Sequence, residues 1–544
     1  MKPKSHPFLR RSLALTASSA FLTTGPLLAA TYNWEGDTSA DFTGAANWVE
    51  NAWTQWDDYR FGTAVTSGAV TINGYFGINS LTLESGLTQD IVITSTGSQP
   101  VIMGVGVTGN SSALIAIDAA SRDLTINGEY IAASAVTWDI GAGRTLTLNG
   151  PLNNWFNPAA LVKNGAGAAL LTSSNGYSGS TTINGGTLVL QGSGGGGTNY
   201  NGGAIAINGT STLRVTGERY NFAGETFTFD SVGGGTIDAI ASGAGGFVFT
   251  GNNTFATTGG ARNIISGTRI ASENQGLNLN GTSVVFDVAT GSDPTSDLEV
   301  IGTIWNGGSV TKNGAGRLEF SAPQQYAGDT TVNEGTLILG DGVNNVGLSN
   351  SHDVVIESGA TLQLNYAVGN SDSIDELSLG GVLQSPGVYG AGTYSGVTIT
   401  GTGTLTVLNG PPADPFANWM ATNYPTIVAP DNAPGADPDN DGIENLIEYV
   451  LQGGDPSVST TGILPTLDAS GANFVFTYLR RAAATGTTQT FQYGTDLTGW
   501  TDLAIPGGAG VVVTDLGGGI DEVEITVAKG INPKLFGRLL VTQP

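Results

Sequence analysis

From residue 437 to residue 448 the chain runs Asp-Pro-Asp-Asn-Asp-Gly-Ile-Glu-Asn-Leu-Ile-Glu. This satisfies the loop pattern D-x-[DN]-x-[DN]-G-x5-E at every defined position. The spacing suits Ca2+, a hard cation that takes roughly six to eight oxygen ligands. A chain wrapped around such an ion presents Asp437, Asp439 and Asp441 from its first turn, and Gly442 permits the sharp bend. Ile443 offers its carbonyl, and Asn445 ligates directly or through water. Glu448 closes the shell with both oxygens, from the start of a helix that runs to about residue 451. The competing reading is a solvated acidic turn before a short helix. Against it, residues 318–479 hold no Lys or Arg, and only His352 can carry positive charge there. The expected role of the metal is structural, ordering a linker.

Other site chemistries are sparse. The chain has no cysteine, which excludes disulfides, thiolate metal sites and cysteine nucleophiles. His352 is the one histidine beyond the N-terminal leader, and no nucleophile motif accompanies it. No catalytic residue is assigned. Acidic residues number 45 against 19 basic ones, a net charge of −26, which argues against nucleic acid and against anionic lipid surfaces.

The elements that position the loop follow from composition. Of 544 residues 83 are glycine, yet 40% are hydrophobic, too many for a disordered chain. Glycine with abundant Thr, Asn, Val, Leu and Ile implies many short strands joined by tight turns. At the N-terminus Lys2, Lys4, Arg10 and Arg11 precede a mostly apolar, small-residue stretch, 12–28, and Leu28-Ala29-Ala30 offers a cleavage site. Residues 1–30 are therefore expected to be a signal peptide, with the mature chain starting near Thr31. No later segment has the length and apolarity of a membrane helix.

Internal repeats dominate the rest. Lys163-Asn-Gly-Ala-Gly returns 149 residues later at Lys312, and 14 of the 30 residues from 161 to 190 are identical in 310–339. The matches include Tyr177 with Tyr326, Thr181 with Thr330, and Gly186-Thr187-Leu188 with Gly335-Thr336-Leu337. A shorter echo, a strand ending in Asn-Gly, falls at 70–74, 124–128, 146–150, 181–185, 205–209 and 277–281. Two of its intervals are 22 and 24 residues. Units this small cannot bury an apolar face alone, whereas stacked coils share one core, and turn asparagines can stack in ladders. The expectation is an all-β chain. It would consist of a right-handed parallel β-helix, a short calcium-loop and helix segment, and a small C-terminal β-sandwich. The proposed boundaries are an aromatic cap at 31–62, the β-helix at 63–410, the linker at 411–458 and the sandwich at 459–544. At roughly 22 residues per coil and ~4.8 Å per strand the rod would be some 80 Å long.

The cap holds Trp34, Phe42, Trp48, Trp53, Trp56 and Tyr59, which suit either a sugar-stacking platform or a cover for the first coil; the cover is favoured. In the linker, residues 416–424 look helical. Strands are expected at 474–478, 490–493, 510–513, 523–527 and 535–541, with Arg480 and Arg481 as edge gatekeepers.

Residues 163–190 and 312–339 resemble the autotransporter-associated β-strand repeat, of the form K-x-G-x-G, then an aromatic residue and glycine, then T-T-[IV]-N-x-G-T-L. The resemblance implies an extracellular β-helical passenger tied to adhesion or surface structure rather than catalysis. The loop at 437–448 resembles those of dockerins and thrombospondin type 3 repeats. One departure stands out: the residues after 410 lack the patterned strands of a membrane β-barrel, so self-transport is not expected. The resulting expectation is a secreted or cell-surface, non-enzymatic protein, adhesin-like or a scaffold. Its partners would be extracellular polysaccharide or surface components. Residues 193–201 and 341–353 are candidate insertions on a binding face. The alternative is a carbohydrate-active enzyme or polysaccharide-binding β-helix. A hydrolase of that kind needs carboxylates on adjacent coils.

Overall fold

A computed structural model describes residues 29–543, apart from 75, 97–99, 105–111, 155–157, 193–197, 240–245, 268–275, 343–346, 349–350, 411–413 and 532–533. Residues 1–28 of the expected 1–30 leader and much of both candidate insertions lie outside the described residues. The chain divides into two units, Met1–Gly410 and Pro411–Pro544.

In the first unit, alternation of apolar and small polar residues makes short strands that each turn one face inward. In Thr187–Gly192 every second residue is buried. Such strands stack in parallel into two long sheets, one of sixteen strands starting at Thr31–Trp34 and one of fifteen starting at Ala69–Asn73. Where a third side forms, it is a four-stranded sheet early in the unit and a five-stranded sheet later. Passing from Ser112–Ile117 to Leu124–Asn127 to Tyr130–Ala132, the chain visits all three sides before Ala135–Ile140 returns to the first. This is the stacked-coil arrangement of a parallel β-helix.

Register keeps like beside like. Leu146, Ala169, Leu188, Leu213, Ile237, Ile265, Val300 and Phe320 are successive partners in the second long sheet, and all are buried. Each fully buried Leu, Ile or Phe contributes about 1.5–3 kcal/mol. Shifting one strand by a residue would turn its apolar set outward, so the column holds the register. Fifteen parallel strands in the first sheet, at about 4.8 Å per step, give ~67 Å. The rod is shorter than the repeat spacing suggests because several coils are longer than those two intervals, and Val382–Leu383, Gly387–Tyr389 and Gly392–Tyr394 pair antiparallel instead of adding coils.

The repeat marks the tightest coils. From Leu161–Asn164 to Thr181–Ile183, and from Val310–Asn313 to Thr330–Thr331–Val332, adjacent strands of the first sheet start 20 residues apart. Lys163 and Lys312 occupy inward positions, between Trp138 and Ile183 and between Phe286 and Val332. Neither lysine is exposed. Each ammonium leaves the apolar column to reach three turn carbonyls. Lys163 Nζ donates to Asn164, Gly165 and Gly185 oxygens at 2.9, 2.9 and 3.0 Å. Lys312 Nζ donates to Asn313, Gly314 and Glu334 oxygens at 3.3, 2.7 and 2.9 Å. Burial pushes both ammoniums down to about 8, which still leaves them charged at neutral pH. In both copies one lysine therefore ties the turn of its own coil to the turn of the next. The tyrosine of each copy is buried too, its hydroxyl on that of Thr181 or Thr330.

Turn asparagines form the expected ladders: Asn164 accepts from Asn184, and Asn184 from Asn208, at 2.8 and 2.7 Å. The Asn-Gly echo does not mark one corner, however. Its strands at 124–127 and 145–148 lie in the second sheet, those at 181–183 and 205–207 in the first, and Leu277–Asn278 on the third side.

Both ends of the stack are covered. The aromatic segment is not a separate lid, because Thr31–Trp34 and Asp58–Phe61 are the first two strands of the long sheet. Trp34, Phe42, Trp48 and Tyr59 are fully buried, with Trp34 and Trp48 edge to face at 5.0 Å, so these rings cannot stack on a sugar. At the other end Val382–Leu383, Gly387–Tyr389 and Gly392–Tyr394 pair antiparallel and close the last coil. That occupies hydrogen-bonding edges that would otherwise invite another strand.

In the second unit, Asp414 caps helix α1 (Pro415–Asn423) by accepting from the Phe416 and Ala417 amides, and proline sits in its first turn. Helix α2 spans Asn445–Val450. Its Leu446, Tyr449 and Val450 pack with Phe416 and Met420 of α1. Seven strands form two antiparallel sheets, one of four and one of three. Tyr478, Val523 and Ile525 from the first share a buried cluster with Phe491 and Ile505 from the second. The five expected strands are present, and Thr466–Asp468 and Thr501–Ile505 are additional.

Arg480 and Arg481 end Asn473–Arg481, which pairs with Ile520–Ala528 on one side; on the other Thr466–Asp468 reaches only residues 475–477, but Leu451 bridges Arg480, so that position is not an open edge. Arg480 pairs with Asp521 at 3.0 Å. Arg481 donates to the carbonyls of Glu448, Tyr449 and Gly454 at 2.7, 3.1 and 2.7 Å, and its guanidinium lies over Trp419. It satisfies the carbonyl end of α2, where a positive charge also meets the helix dipole.

Candidate metal centre

The segment leading into α2 folds on its own carboxylates. Asn440 and Gly442 both take positive φ, at 61° and 89°, which bends the chain back on itself. The Asp441 amide donates to Asp437 Oδ1 and Asp439 Oδ1, both at 3.1 Å. Gly442 donates to Asp437 Oδ2 at 2.9 Å, and Ile443 to Asp441 Oδ1 at 2.9 Å. The result brings oxygens of Asp437, Asp439 and Asp441 within 4.8 Å of one another.

Three acidic side chains this close repel one another unless protons or a cation intervene. The electrostatics show it. Burial raises the Asp439 carboxyl above its ordinary value, and the charges of Asp441 and Asp437 add to the effect. Glu448 is completely buried on the inner side of α2. Burial, with the Asp439 and Asp441 charges behind it, pushes its carboxyl up to about 7. Asp439 Oδ2 and Glu448 Oε2 are buried acceptors without a donor. A buried carboxylate oxygen with no partner is costly, and a hard cation is what such oxygens accept.

The six expected ligands are brought together only in part. Asp437, Asp439 and Asp441 form the cluster, while Glu448 stands outside the 4.8 Å group but close enough for its charge to be felt. Glu448 Oε1 already accepts from the Asp455 amide and the Thr460 hydroxyl at 3.2 and 2.8 Å, which leaves one oxygen, not two, for an ion. Asn445 uses its amide to hold the preceding loop, donating to Asp431 and Ala433 carbonyls at 2.8 Å each, and its Oδ1 is buried without a partner. Ile443 is buried. The donors Thr460 and Asp455 lie beyond the pattern, and no sequence signal singled them out. The donor set fits Ca2+: oxygen only, mostly carboxylate, with buried acceptors left over.

On the rod, the carboxylate pair that the enzyme alternative requires does occur. Glu299 and Glu319 are register partners on adjacent coils. Arg262 binds Glu299 at 3.0 Å, and burial raises the Glu319 carboxyl, with Glu299 repulsion contributing. Other rod arginines are likewise spent on neighbouring coils, as Arg214 is on Asp238 at 2.9 Å. Among the described residues no helix is long and apolar enough to cross a membrane.

A family model described as Passenger-associated-transport-repeat matches residues 161–190 and 310–339, the two copies built around Lys163 and Lys312. The chain is also similar to an adhesin, the Adhesin BmaC autotransporter of Brucella suis biovar 1 (strain 1330), at 28% identity over 358 residues. That match covers 63% of this chain and 9% of the adhesin, so the chain spans less than a tenth of its relative. No solved structure matches the chain.

Proposed function

We propose that the chain is an exported, adhesin-like passenger of the cell surface or extracellular space. In this reading it is not an enzyme. Its rod is a right-handed parallel β-helix whose outer faces meet surface components, extracellular polysaccharide among them. The observation that carries the reading is the match of two passenger-associated-transport repeats to the coils clamped by Lys163 and Lys312. Lys163, Tyr177, Thr181 and Leu188, with their counterparts Lys312, Tyr326, Thr330 and Leu337, are buried, so these residues of the repeat build a display scaffold and leave recognition to the outer faces. Similarity to an adhesin supports that use.

In the second unit the proposed ligand is Ca2+, held by Asp437, Asp439 and Asp441, with the Ile443 carbonyl and one oxygen of Glu448 in support. When bound, the ion supplies positive charge to an acid cluster to which, among the described residues, no lysine or arginine is salt-bridged. Its role is structural, fixing α2 against a C-terminal β-sandwich.

Two measurements test this. Labelled, purified chain is applied to cell monolayers and polysaccharide-coated surfaces, with parallel assays for released reducing ends. Saturable binding without turnover is expected; turnover of any polysaccharide, lost in Glu319→Gln, would replace the adhesin with the hydrolase. Calorimetric titration of chelator-stripped protein is expected to find calcium binding that disappears in Asp437→Asn/Asp439→Asn. Equal binding by that variant would remove the metal assignment.

A further inference from the structure

Residues 455–460 lie outside the calcium-loop pattern, yet their donors end on its carboxylates. The Asp455 amide and the Thr460 hydroxyl both donate to Glu448 Oε1. The Thr460 amide donates to Asp441 Oδ2 at 2.6 Å. Thr460 thus grips two carboxylates at once, one from the loop and one from α2. The carboxylate of Asp455 is turned away and closes its own turn, accepting from the Ser457 amide and hydroxyl at 3.0 and 2.6 Å.

At Glu448 both hydrogen bonds fall on Oε1, whereas Asp441 accepts on both oxygens, from Ile443 at Oδ1 and from Thr460 at Oδ2. With Oε1 of Glu448 held from two directions, Oε2 is left buried and bare, and within the loop Asp439 Oδ2 is left in the same condition. The start of the segment is pinned as well: Arg481 bonds the Gly454 carbonyl, and a side chain at Gly454 would meet the Glu448 carbonyl at 2.2 Å.

We propose that residues 455–460 are a strap belonging to the metal centre, with Thr460 as the positioning residue that aims Glu448 Oε2 and Asp441 at the ion. The proposal rests on the calcium reading above and extends it to residues the loop pattern omits. Thr460 donates through both its amide and its hydroxyl to these carboxylates, and the role assigned to it is orientation rather than ligation. It acts as an outer partner that orients ligating carboxylates, and losing such a partner typically costs about 10–100-fold in metal affinity. The coupling runs both ways: an ion that draws on Asp441 and Glu448 holds the strap that grips them.

The test is calorimetric titration of the chelator-stripped full chain with calcium chloride. Wild type, Thr460→Val and Thr460→Ser are compared, and amide exchange of residues 455–460 is followed with and without calcium. The expected result is affinity at least about tenfold weaker in Thr460→Val. Affinity should be restored by Thr460→Ser, which keeps the hydroxyl. Exchange across 455–460 should slow on calcium addition in wild type. Wild-type affinity in Thr460→Val would overturn the strap while leaving the calcium site standing. Absence of calcium binding in wild type would overturn both. Should Thr460→Val fail to fold by circular dichroism, Thr460→Ala removes the same hydroxyl with less bulk, and undiminished affinity there would equally overturn the proposal.

Discussion

Substituting alanine for Gly186 separates two costs that are usually confounded. Gly186 sits at φ +63°, in the left-handed region, and a Cβ there would stand 2.1 Å from the Gly167 carbonyl oxygen of the preceding coil. Gly335, its counterpart in the second copy, repeats both features, with φ +68° and the Gly316 oxygen at 2.4 Å. The dihedral alone costs an alanine about 1 kcal/mol. Forcing a methyl against backbone that cannot retreat, because coils are fixed at ~4.8 Å by their ladders, adds about 1–3 kcal/mol. Loss of unfolded-chain freedom returns about 0.4–1 kcal/mol. The net expectation is a loss of about 2–3 kcal/mol. Gly359 is the control, at φ +89° with nothing within 4 Å of its Cβ, so Gly359→Ala should cost less than about 1 kcal/mol. A stack of coils need not unfold in one step. The assay is therefore amide exchange around residues 181–190 and 354–364, alongside the urea midpoint. Equal losses at Gly186 and Gly359, within about 0.5 kcal/mol, would refute the claim that coil-to-coil contact dictates glycine in the repeat.

Lys163→Met keeps the buried stem and removes three donors from turn carbonyls; a loss of about 2 kcal/mol is expected by urea unfolding, after crediting relief from burying a charge. A neutral or stabilising effect would mean that the clamp costs as much as it returns. His352 is buried and stacked on Tyr326 at 4.7 Å, and burial lowers its pKa below the ordinary 6.5 of an imidazole. Below pH 6.5 the unfolded chain therefore takes up a proton that the folded chain resists, and stability should fall with acidification from there. His352→Phe keeps the stack and should show a shallower decline in melting temperature between pH 7 and 5; parallel declines would exclude the histidine. Arg481→Ala strips three carbonyls and the Trp419 stack, and should cost the second unit about 3 kcal/mol, visible as a lowered thermal midpoint of that unit.

The repeats made the rod legible in advance. Period-2 strands, recurring turns and a 149-residue self-match leave a chain few options besides stacking, since no single coil has an apolar face it can bury alone. Helix α2 and the Asp437–Asp441 turn were equally visible, because each depends on residues close together in sequence. The Asn-Gly echo misled about corners. A strand that ends in Asn-Gly is local information, and which of three sides it occupies depends on how much chain the preceding coil spent.

Arg480, Arg481 and Thr460 were misread or missed for a related reason. In the sequence Arg481 is one of a basic pair just past an expected strand; its partners Glu448, Tyr449 and Gly454 lie 27 to 33 residues earlier. Thr460 is an unremarkable threonine until the fold lays it across Asp441 and Glu448, 19 and 12 residues away. Composition, periodicity and the spaced carboxylates of 437–448 were sufficient for an all-β stack and a turn of clustered carboxylates, because period and spacing are properties of neighbouring residues. Which oxygens of that loop remain bare, and which distant donors claim the others, was decided by tertiary structure. A carboxylate's free lone pairs are what remains after every donor brought near by folding has been counted.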